Sequence, residues 1–401
     1  MSDGAYFGSL TTALQDAGRY GPTLVIDLDR LNRNLEIVRQ GVRPGVTLRV
    51  VDKSLPSIPL LAHVMERLGT RRIMSFDLSV TRAVLRAFPD ADILFGKPMP
   101  SAALAVFLSG MERDAVCDFA ARSVLLADGL PRIEQLAMLA QAHRVSLRVA
   151  FEVDVGMHRG GLQSPAAVAE AAQAALKSGV LTLEGLMGYE AHIPAIPGFA
   201  GGAAGEAKAV KARLAAFVEA LPPACRMIVN SGGSKTVLTY ADPGVATELS
   251  VGSAFVKPTD FDTPSLAALQ PAVFIATPAL KVVSAMLPGP VWMTKVFQAL
   301  GLFAKKGCFL YGGHWLARPV YPEGMRGSSF WGQSSNQQFM ALPAGCDLKN
   351  DDSVFFRPTQ SEAVLWQFGD IALFSQGRIV GNWPPIIPGS LSAAHIPGSG
   401  S

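Results

Sequence analysis

A lysine, two small-residue loops, an arginine and a few histidines carry the chemistry this chain can offer. Lys53 ends the segment Leu48-Arg-Val-Val-Asp-Lys, with Val50 and Val51 as apolar neighbours. An amine leaving a strand into a partly desolvated interior is disfavoured in its charged form, which suits a nucleophile or Schiff-base partner. A lysine that only reaches solvent at a strand end is the plainer alternative. Ser231-Gly232-Gly233 and Gly252-Ser253 are compact loops. Small residues let backbone N–H groups approach an anion, and a serine hydroxyl adds a donor. Gly-Gly turns are common, so neither loop is specific alone. Together with Lys53 they suggest a phosphorylated aldehyde cofactor rather than a phosphorylated substrate. Arg159 follows Glu152-Val-Asp-Val-Gly-Met-His. It cannot accept a proton at ordinary pH, but it can orient the lysine, hold a carboxylate or meet a cofactor oxygen. His158, His192 and His314 are candidate bases or metal ligands, with an ordinary solvated or packed histidine as the alternative for each.

These residues need elements to hold them. The apolar spacing gives short strands at Thr23–Asp27, Leu48–Val51, Arg72–Ser75, Asp92–Phe95, Val124–Ala127, Val145–Val153, Leu181–Met187 and Met227–Asn230. Helix-period segments separate them, for example Ile58–Leu68 and Ser164–Ser178. Strand alternating with helix implies a parallel sheet covered by helices. Eight such units fit an α/β fold built on a closed (β/α)8 TIM-like barrel better than an open doubly wound sheet. No G-x-G-x-x-G follows the first strand, which removes the main sign of a dinucleotide fold. Chemistry in such a barrel sits at the carboxyl ends of the strands. There stand Asp27, Lys53, Ser75, Asp77, Lys97, Asp128, Asp154, Tyr189, His192 and the Asn230-Ser-Gly-Gly-Ser loop. From about residue 270 helix periodicity fades and strands follow at Val273–Ala276, Lys281–Ser284, Cys308–Tyr311, Ser353–Arg357, Ala363–Trp366 and Ile371–Phe374. The expected organisation is a barrel over 21–265, a separate, mostly β C-terminal domain over 266–385 joined by residues 1–20, and a peripheral tail over 386–401.

Composition narrows the function class. The 401 residues are 49% hydrophobic and 17% charged, below the ~25% charge of ordinary soluble domains. Covered surface, most simply in a homodimer, accounts for the difference. Net charge is +3 with no Lys/Arg block, which argues against nucleic acid. No apolar run reaches the ~18 residues of a membrane span. The four cysteines, at 117, 225, 308 and 346, have no CxxC spacing. They and the start MSDGAYFGSL lead us to expect a cytoplasmic protein.

Several motifs resemble the fold-type III pyridoxal-phosphate enzymes, the superfamily of the alanine racemase N-terminal domain. They are Pro22-Thr-Leu-Val-Ile-Asp-Leu-Asp-Arg-Leu-Asn-Arg-Asn, Asp154-Val-Gly-Met-His-Arg-Gly-Gly, Leu186-Met-Gly-Tyr-Glu-Ala-His, Asn230-Ser-Gly-Gly-Ser and Thr247-Glu-Leu-Ser-Val-Gly-Ser. The set is similar to the D-threonine aldolase and eukaryotic-type D-serine dehydratase branch more than to alanine racemase itself. The resemblance implies pyridoxal 5'-phosphate as cofactor and Lys53 as its covalent holder. It places Arg159 beside the cofactor and Tyr189 near its ring or the substrate. Ser231, Gly232, Gly233, Gly252 and Ser253 hold the phosphate. His192 matches the histidine of the family's Gly-His pair, with Ala191 in place of the glycine.

The departures shape the expected reaction. The aldolase and dehydratase relatives bind a divalent metal through a late His-x-Cys or His-x-Asp pair. Here Ser375-Gln-Gly-Arg378 stands in that place, and no histidine occurs between His314 and His395, so no metal site is expected. Tyr311-Gly-Gly-His-Trp and the polar, aromatic stretch 321–338 supply either substrate contacts or a dimer contact. Hydroxide leaves poorly without polarisation, so a missing metal hurts dehydration more than retro-aldol cleavage. The expectation is therefore a lyase cleaving a β-hydroxy-D-amino acid, with Lys53, Arg159, His192 and His314 as catalytic residues. A D-serine dehydratase-like lyase and an amino-acid racemase, with Tyr311 or Tyr321 as its second base, follow in that order. A non-catalytic cofactor-homeostasis protein is a further alternative, though such barrels are much shorter. So is a sugar-phosphate barrel using a Schiff-base lysine.

Overall fold

The computed structural model describes residues 3–362 and 364–387. In chain order the strands are β1 (Thr23–Asp27), β2 (Thr47–Val51), β3 (Arg72–Ser75), β4 (Asp92–Phe95), β5 (Ser123–Ala127), β6 (Leu147–Val153), β7 (Leu181–Gly188), β8 (Ile228–Ser231) and β9 (Glu248–Val251). There follow β10 (Val273–Ser284), β11 (Lys306–Leu310), β12 (Ala317–Tyr321), β13 (Arg326–Gly327), β14 (Phe339–Leu342), β15 (Ser353–Pro358), β16 (Ile371–Ser375) and β17 (Arg378–Trp383).

Strands β2 to β9 form the closed parallel barrel. It closes where β2 pairs with β9, Thr47 opposite Glu248 and Val50 opposite Val251. Each barrel strand is short and almost wholly buried, which its run of Val, Ile, Leu and Met requires of a parallel strand covered on both faces. Val51, Met74, Leu94, Val124, Leu126, Ala150, Met187 and Ile228 fill the interior. Gly185 is the tight point of the wall, because a Cβ there would overlap the Ile228 carbonyl. Local signals set the helix starts. The Asp77 carboxylate accepts from the N–H groups of Ser79 and Val80 at 2.8 and 3.0 Å, opening the helix Leu78–Ala87. Ser164 caps Pro165–Lys177 in the same way.

The other sheet runs β13-β14-β11-β10-β1-β16-β17, with β15 between β10 and β12. All its pairings are antiparallel except β1 with β16. The helix Asp3–Asp16 lays Tyr6, Phe7, Leu10, Ala13 and Leu14 on Val25, Phe274, Phe355 and Phe374 of this sheet. The chain thus divides into a barrel unit, 35–254 with 263–268, and a sheet unit, 3–34 with 255–262 and 269–385.

Three sequence expectations change. Thr23–Asp27 belongs to the sheet unit, not the barrel, and Glu248–Val251 is the eighth barrel strand. The five-residue apolar run of β1 would suit either sheet, and only its pairing with β10 and β16 decides. Asp27 therefore leaves the set of barrel-mouth residues; it accepts from the Tyr6 hydroxyl at 2.8 Å and from the Arg30 N–H at 2.9 Å. Val273–Ala276 and Lys281–Ser284 are one strand, interrupted by Pro278 and a register shift between Ala279 and Lys281 as it passes from β15 to β11. Val364 to Trp366 form turns rather than a strand, while Ala363 lies outside the described residues. So does the expected peripheral tail from residue 388 onward, including His395.

Candidate active site

The barrel mouth gathers Lys53 with three serine-bearing loops. Lys53 is the middle residue of the 3-10 turn Asp52–Ser54 that ends β2. Its ammonium nitrogen lies 4.5 Å from the ring centroid of Phe76, the residue after β3. Gly96 keeps that ring in place, since a Cβ there would run into Phe76 and come within 2.8 Å of the Met74 sulfur. Ser253 donates its hydroxyl to Ser54 at 3.0 Å, and the Gly252 N–H donates to Ser234 Oγ at 3.1 Å. The ends of β2, β8 and β9 are thereby tied together. Gly252 must be glycine, because a Cβ would approach Ser54 Cβ to 2.7 Å and Val51 Cβ to 2.9 Å.

Tyr189 and Arg159 form a second wall. The Arg159 guanidinium stands 5.0 Å from the Tyr189 ring centroid and 3.9 Å from a Glu152 oxygen. Gly233 packs flat on the same ring, where a Cβ would come within 2.9 Å. Beside Arg159, His158 has Nδ1 2.8 Å from Asp154 and a side chain 84% exposed. Burial opposes the charged form of Asp154, but the N–H groups of His158 and Gly156 and the His158 ring hold it below the usual carboxylate range.

Ser231 and Gly232 face a buried acid. Both donate to Glu190, a fully buried carboxyl after β7, from 3.4 and 3.0 Å. Thr236 and Tyr240 donate to its other oxygen at 2.8 and 3.0 Å. Burial pushes the Glu190 carboxyl up, against these four donors. These bonds of Ser231 and Gly232 order the loop from inside.

His192 is held by a carboxylate. Its Nε2 lies 3.1 Å from Glu206, which also accepts from Arg213 at 2.8 Å. Arg213 first, and His192 second, hold Glu206 below its ordinary range. An ionised Glu206 can only accept, so Nε2 carries a proton, and in the neutral imidazole the lone pair is then on Nδ1. That Nδ1 is buried with no hydrogen-bond partner. His314 is in the sheet unit, at φ 55°, on a cavity of about 340 Å³ lined also by Trp315, Gln333 and Gln338.

The sequence does not single out Ser54, Phe76, Asp52, Glu190 and Glu206, and it offers Ser234 only as the end of the Asn230-Ser-Gly-Gly-Ser loop. Ser54 and Ser234 adjoin residues already singled out, and Glu190 follows Tyr189 directly. Phe76 is apolar and escaped a survey of polar strand ends. Nothing local marks Glu206, fourteen residues from the histidine it orients.

Comparison with known proteins agrees with this architecture. The model of the alanine racemase N-terminal domain matches residues 26–259. The 3-hydroxy-D-aspartate aldolase of Paracoccus denitrificans (strain Pd 1222) is 25% identical over 245 residues, 60% of this chain. The chain spans 61% of the length of that curated relative. The D-threonine aldolase from Filomicrobium marinum superposes with a TM-score of 0.71 at 18% identity, over 91% of this chain and 95% of that one. The D-threo-3-hydroxyaspartate dehydratase from Delftia sp. HT23 gives 0.67 at 19%, over 91% and 97%. An alanine racemase from Bacillus anthracis gives 0.64 at 14%, over 91% and 98%. The fold is that of the fold-type III pyridoxal-phosphate enzymes, as the motifs implied. With the matched span taking in more than half of its residues, the chain belongs to the alanine racemase N-terminal domain family.

Proposed function

We propose that the chain is a pyridoxal-phosphate-dependent lyase that cleaves a β-hydroxy-D-amino acid into glycine and an aldehyde. The observation that carries this reading is Lys53 seated on Phe76 beside loops joined by Ser54, Ser234, Gly252 and Ser253. An amine, hydroxyl donors and glycine-lined space suit a phosphorylated aldehyde, and the Tyr189 face under Arg159 suits its aromatic ring. Lys53 would hold the cofactor covalently, Arg159 and Tyr189 would flank it, and the serines with Gly252 and Gly233 would line its phosphate end. When bound, this cofactor delocalises the electron pair left at the substrate Cα.

The chain's own part is proton handling and orientation. His192 takes the β-hydroxyl proton through Nδ1 as the Cα–Cβ bond breaks and the β-carbon becomes a carbonyl. Its orphaned nitrogen supports that role, since a buried polar atom without a partner is stabilised by any donor that reaches it. Glu206 fixes the tautomer. Arg159 is the remaining candidate for substrate contact in the barrel unit.

A cytoplasmic homodimer belongs to the same reading. It is supported by four unpaired cysteines and by Trp292, Leu300 and Leu302 exposed at 66, 66 and 60%. No helix among the described residues is long and apolar enough to cross a membrane.

The test is a product assay on the cofactor-saturated chain with D-threonine, 3-hydroxy-D-aspartate, D-serine and D-alanine, with and without a chelator. Light scattering on the same preparation reports the subunit number. Glycine plus aldehyde is the expected product, and it persists with chelator. Keto acid plus ammonia makes the chain a dehydratase, inversion alone a racemase, and cofactor binding without turnover a homeostasis protein. Activity that vanishes with chelator overturns the metal-free expectation.

A further inference from the structure

One buried acid at the barrel mouth has no duty in the chemistry above. Asp52 is 1% exposed, and it directly precedes Lys53 in the turn that ends β2. Its carboxyl accepts from the Lys53 backbone N–H and from the Ser75 hydroxyl. Ser75 is itself held by Thr81, whose hydroxyl donates to it at 2.7 Å. The residue after Ser75 is Phe76, the ring under the Lys53 ammonium. Asp52, Ser75, Phe76 and Lys53 therefore form a closed circuit in which the acid anchors both the lysine's backbone and the strand end carrying its seat. The second carboxyl oxygen, Oδ2, is buried and unpartnered. A carboxyl used only to cap a turn is expected to have both oxygens satisfied or one in water. An acid with one oxygen left over is a proton-holding group, and the Lys53 charge acts on it.

We propose that Asp52 is a positioning residue for Lys53, fixing the lysine's exit from the strand and setting how readily its amine reacts across the neutral pH range. The inference rests on the reading that Lys53 is the reactive amine. Two charged groups act on Asp52: Asp77, from the loop after β3, disfavours its anion, and Lys53, on its own turn, favours it. Burial is the largest influence and pushes the carboxyl up to about 7. Through the neutral range Asp52 thus passes from acid to anion, and the anion favours the charged, unreactive form of the neighbouring amine. The device damps the gain in Lys53 reactivity as pH rises, where an isolated lysine would gain the full amount.

Competitive acylation tests this without relying on turnover. The full chain is treated with acetic anhydride from about pH 6 to about pH 10, and Lys53 labelling is read by mass spectrometry against an exposed lysine. In Asp52→Asn the Lys53 labelling curve moves to lower pH by about half a unit or more, which is roughly threefold faster labelling at a given pH. Ser75→Ala leaves the acid in place but removes a donor to its anion. In that variant labelling resembles Asp52→Asn near neutrality and returns to wild type in alkali. It decides the matter if Asp52→Asn does not fold. Curves that superpose on wild type in the folded variants overturn the proposal, even if their melting temperatures change. Adding pyridoxal 5'-phosphate to the wild type separates the two readings. A chain that stays colourless sinks the proposed function and leaves the labelling result standing.

Discussion

Lys53→Ala is expected to abolish the visible absorbance that the wild-type chain develops with pyridoxal 5'-phosphate and to lower kcat/KM at least about a thousandfold. The size follows from the lysine's two duties. It is the covalent holder of the cofactor, and it is the amine exchanged for that of the substrate. Neither the serine hydroxyls nor Arg159 can form that bond. The fold should survive, because the contact of the side chain with the Phe76 ring is worth about 1 kcal/mol at a partly exposed site. A folded, colourless and inactive variant is the expected combination, read by circular dichroism, absorbance and the product assay. A Lys53→Ala chain that keeps its colour would move the covalent site to another amine. Lys235, next to Ser234 at the end of β8, is the first to examine, since its backbone carbonyl accepts from Ser265 at 2.8 Å and fixes its place in the loop.

How far the sequence led is best judged residue by residue. The barrel was legible because parallel strands buried on both faces are short, unbroken apolar runs. Arg72–Ser75, Asp92–Phe95 and the helix Ile58–Leu68 stand where their spacing put them. The partner of a strand was not legible. Thr23–Asp27 reads like a barrel strand, yet it pairs with β10, some 250 residues further along the chain. The site shows the same division. Lys53, Tyr189 and Gly252 could be singled out because a residue type at a strand end suggests a duty. The bonds that Ser231 and Gly232 make were not legible, because hydrogen-bond direction is not written locally. Their donors point to Glu190, which is 41 and 42 residues earlier. Residues that act on ligands leave a signature of type and position. Residues that hold those residues leave one only in three dimensions.

That distinction is sharpest at the other end of the barrel. Glu248, the first residue of β9, is expected to matter more to stability than any residue at the mouth. Its carboxylate takes two bonds from Arg49, at 2.7 and 2.9 Å, and both side chains are fully buried. Arg72 adds a bond at 2.8 Å and Asn230 another at 2.8 Å. Arg49 continues to Asp92 at 2.9 Å, and Asp92 to Arg148 at 2.8 Å. Glu248, Arg72, Asp92 and Arg148 lie at the first or second positions of their strands, away from the face where Lys53 stands. Glu248→Ala leaves the Arg49 cation buried with Asp92 as its remaining carboxylate, a loss expected to cost about 3–5 kcal/mol. Denaturant unfolding at neutral pH measures it, while kcat per folded molecule stays within about twofold of wild type. The pH dependence gives a second check. Burial opposes the Glu248 anion, but Arg49 dominates and holds the carboxyl below its ordinary value. A depressed carboxyl contributes stability above its unfolded value and loses it as pH falls through the folded one. The gap between wild type and Glu248→Ala should therefore be full at pH 7 and shrink in acid below about pH 4.5. Asp52 runs in the opposite sense, since its raised carboxyl favours the folded state at low pH and weakens it as pH rises toward about 7. A loss on acidification assigned to Glu248 and a loss on raising the pH from about 4 to about 7 assigned to Asp52 are separable by the two single variants. A Glu248→Ala chain as stable as wild type at pH 7 would show that the Arg49–Asp92 pair suffices to hold the base of the barrel.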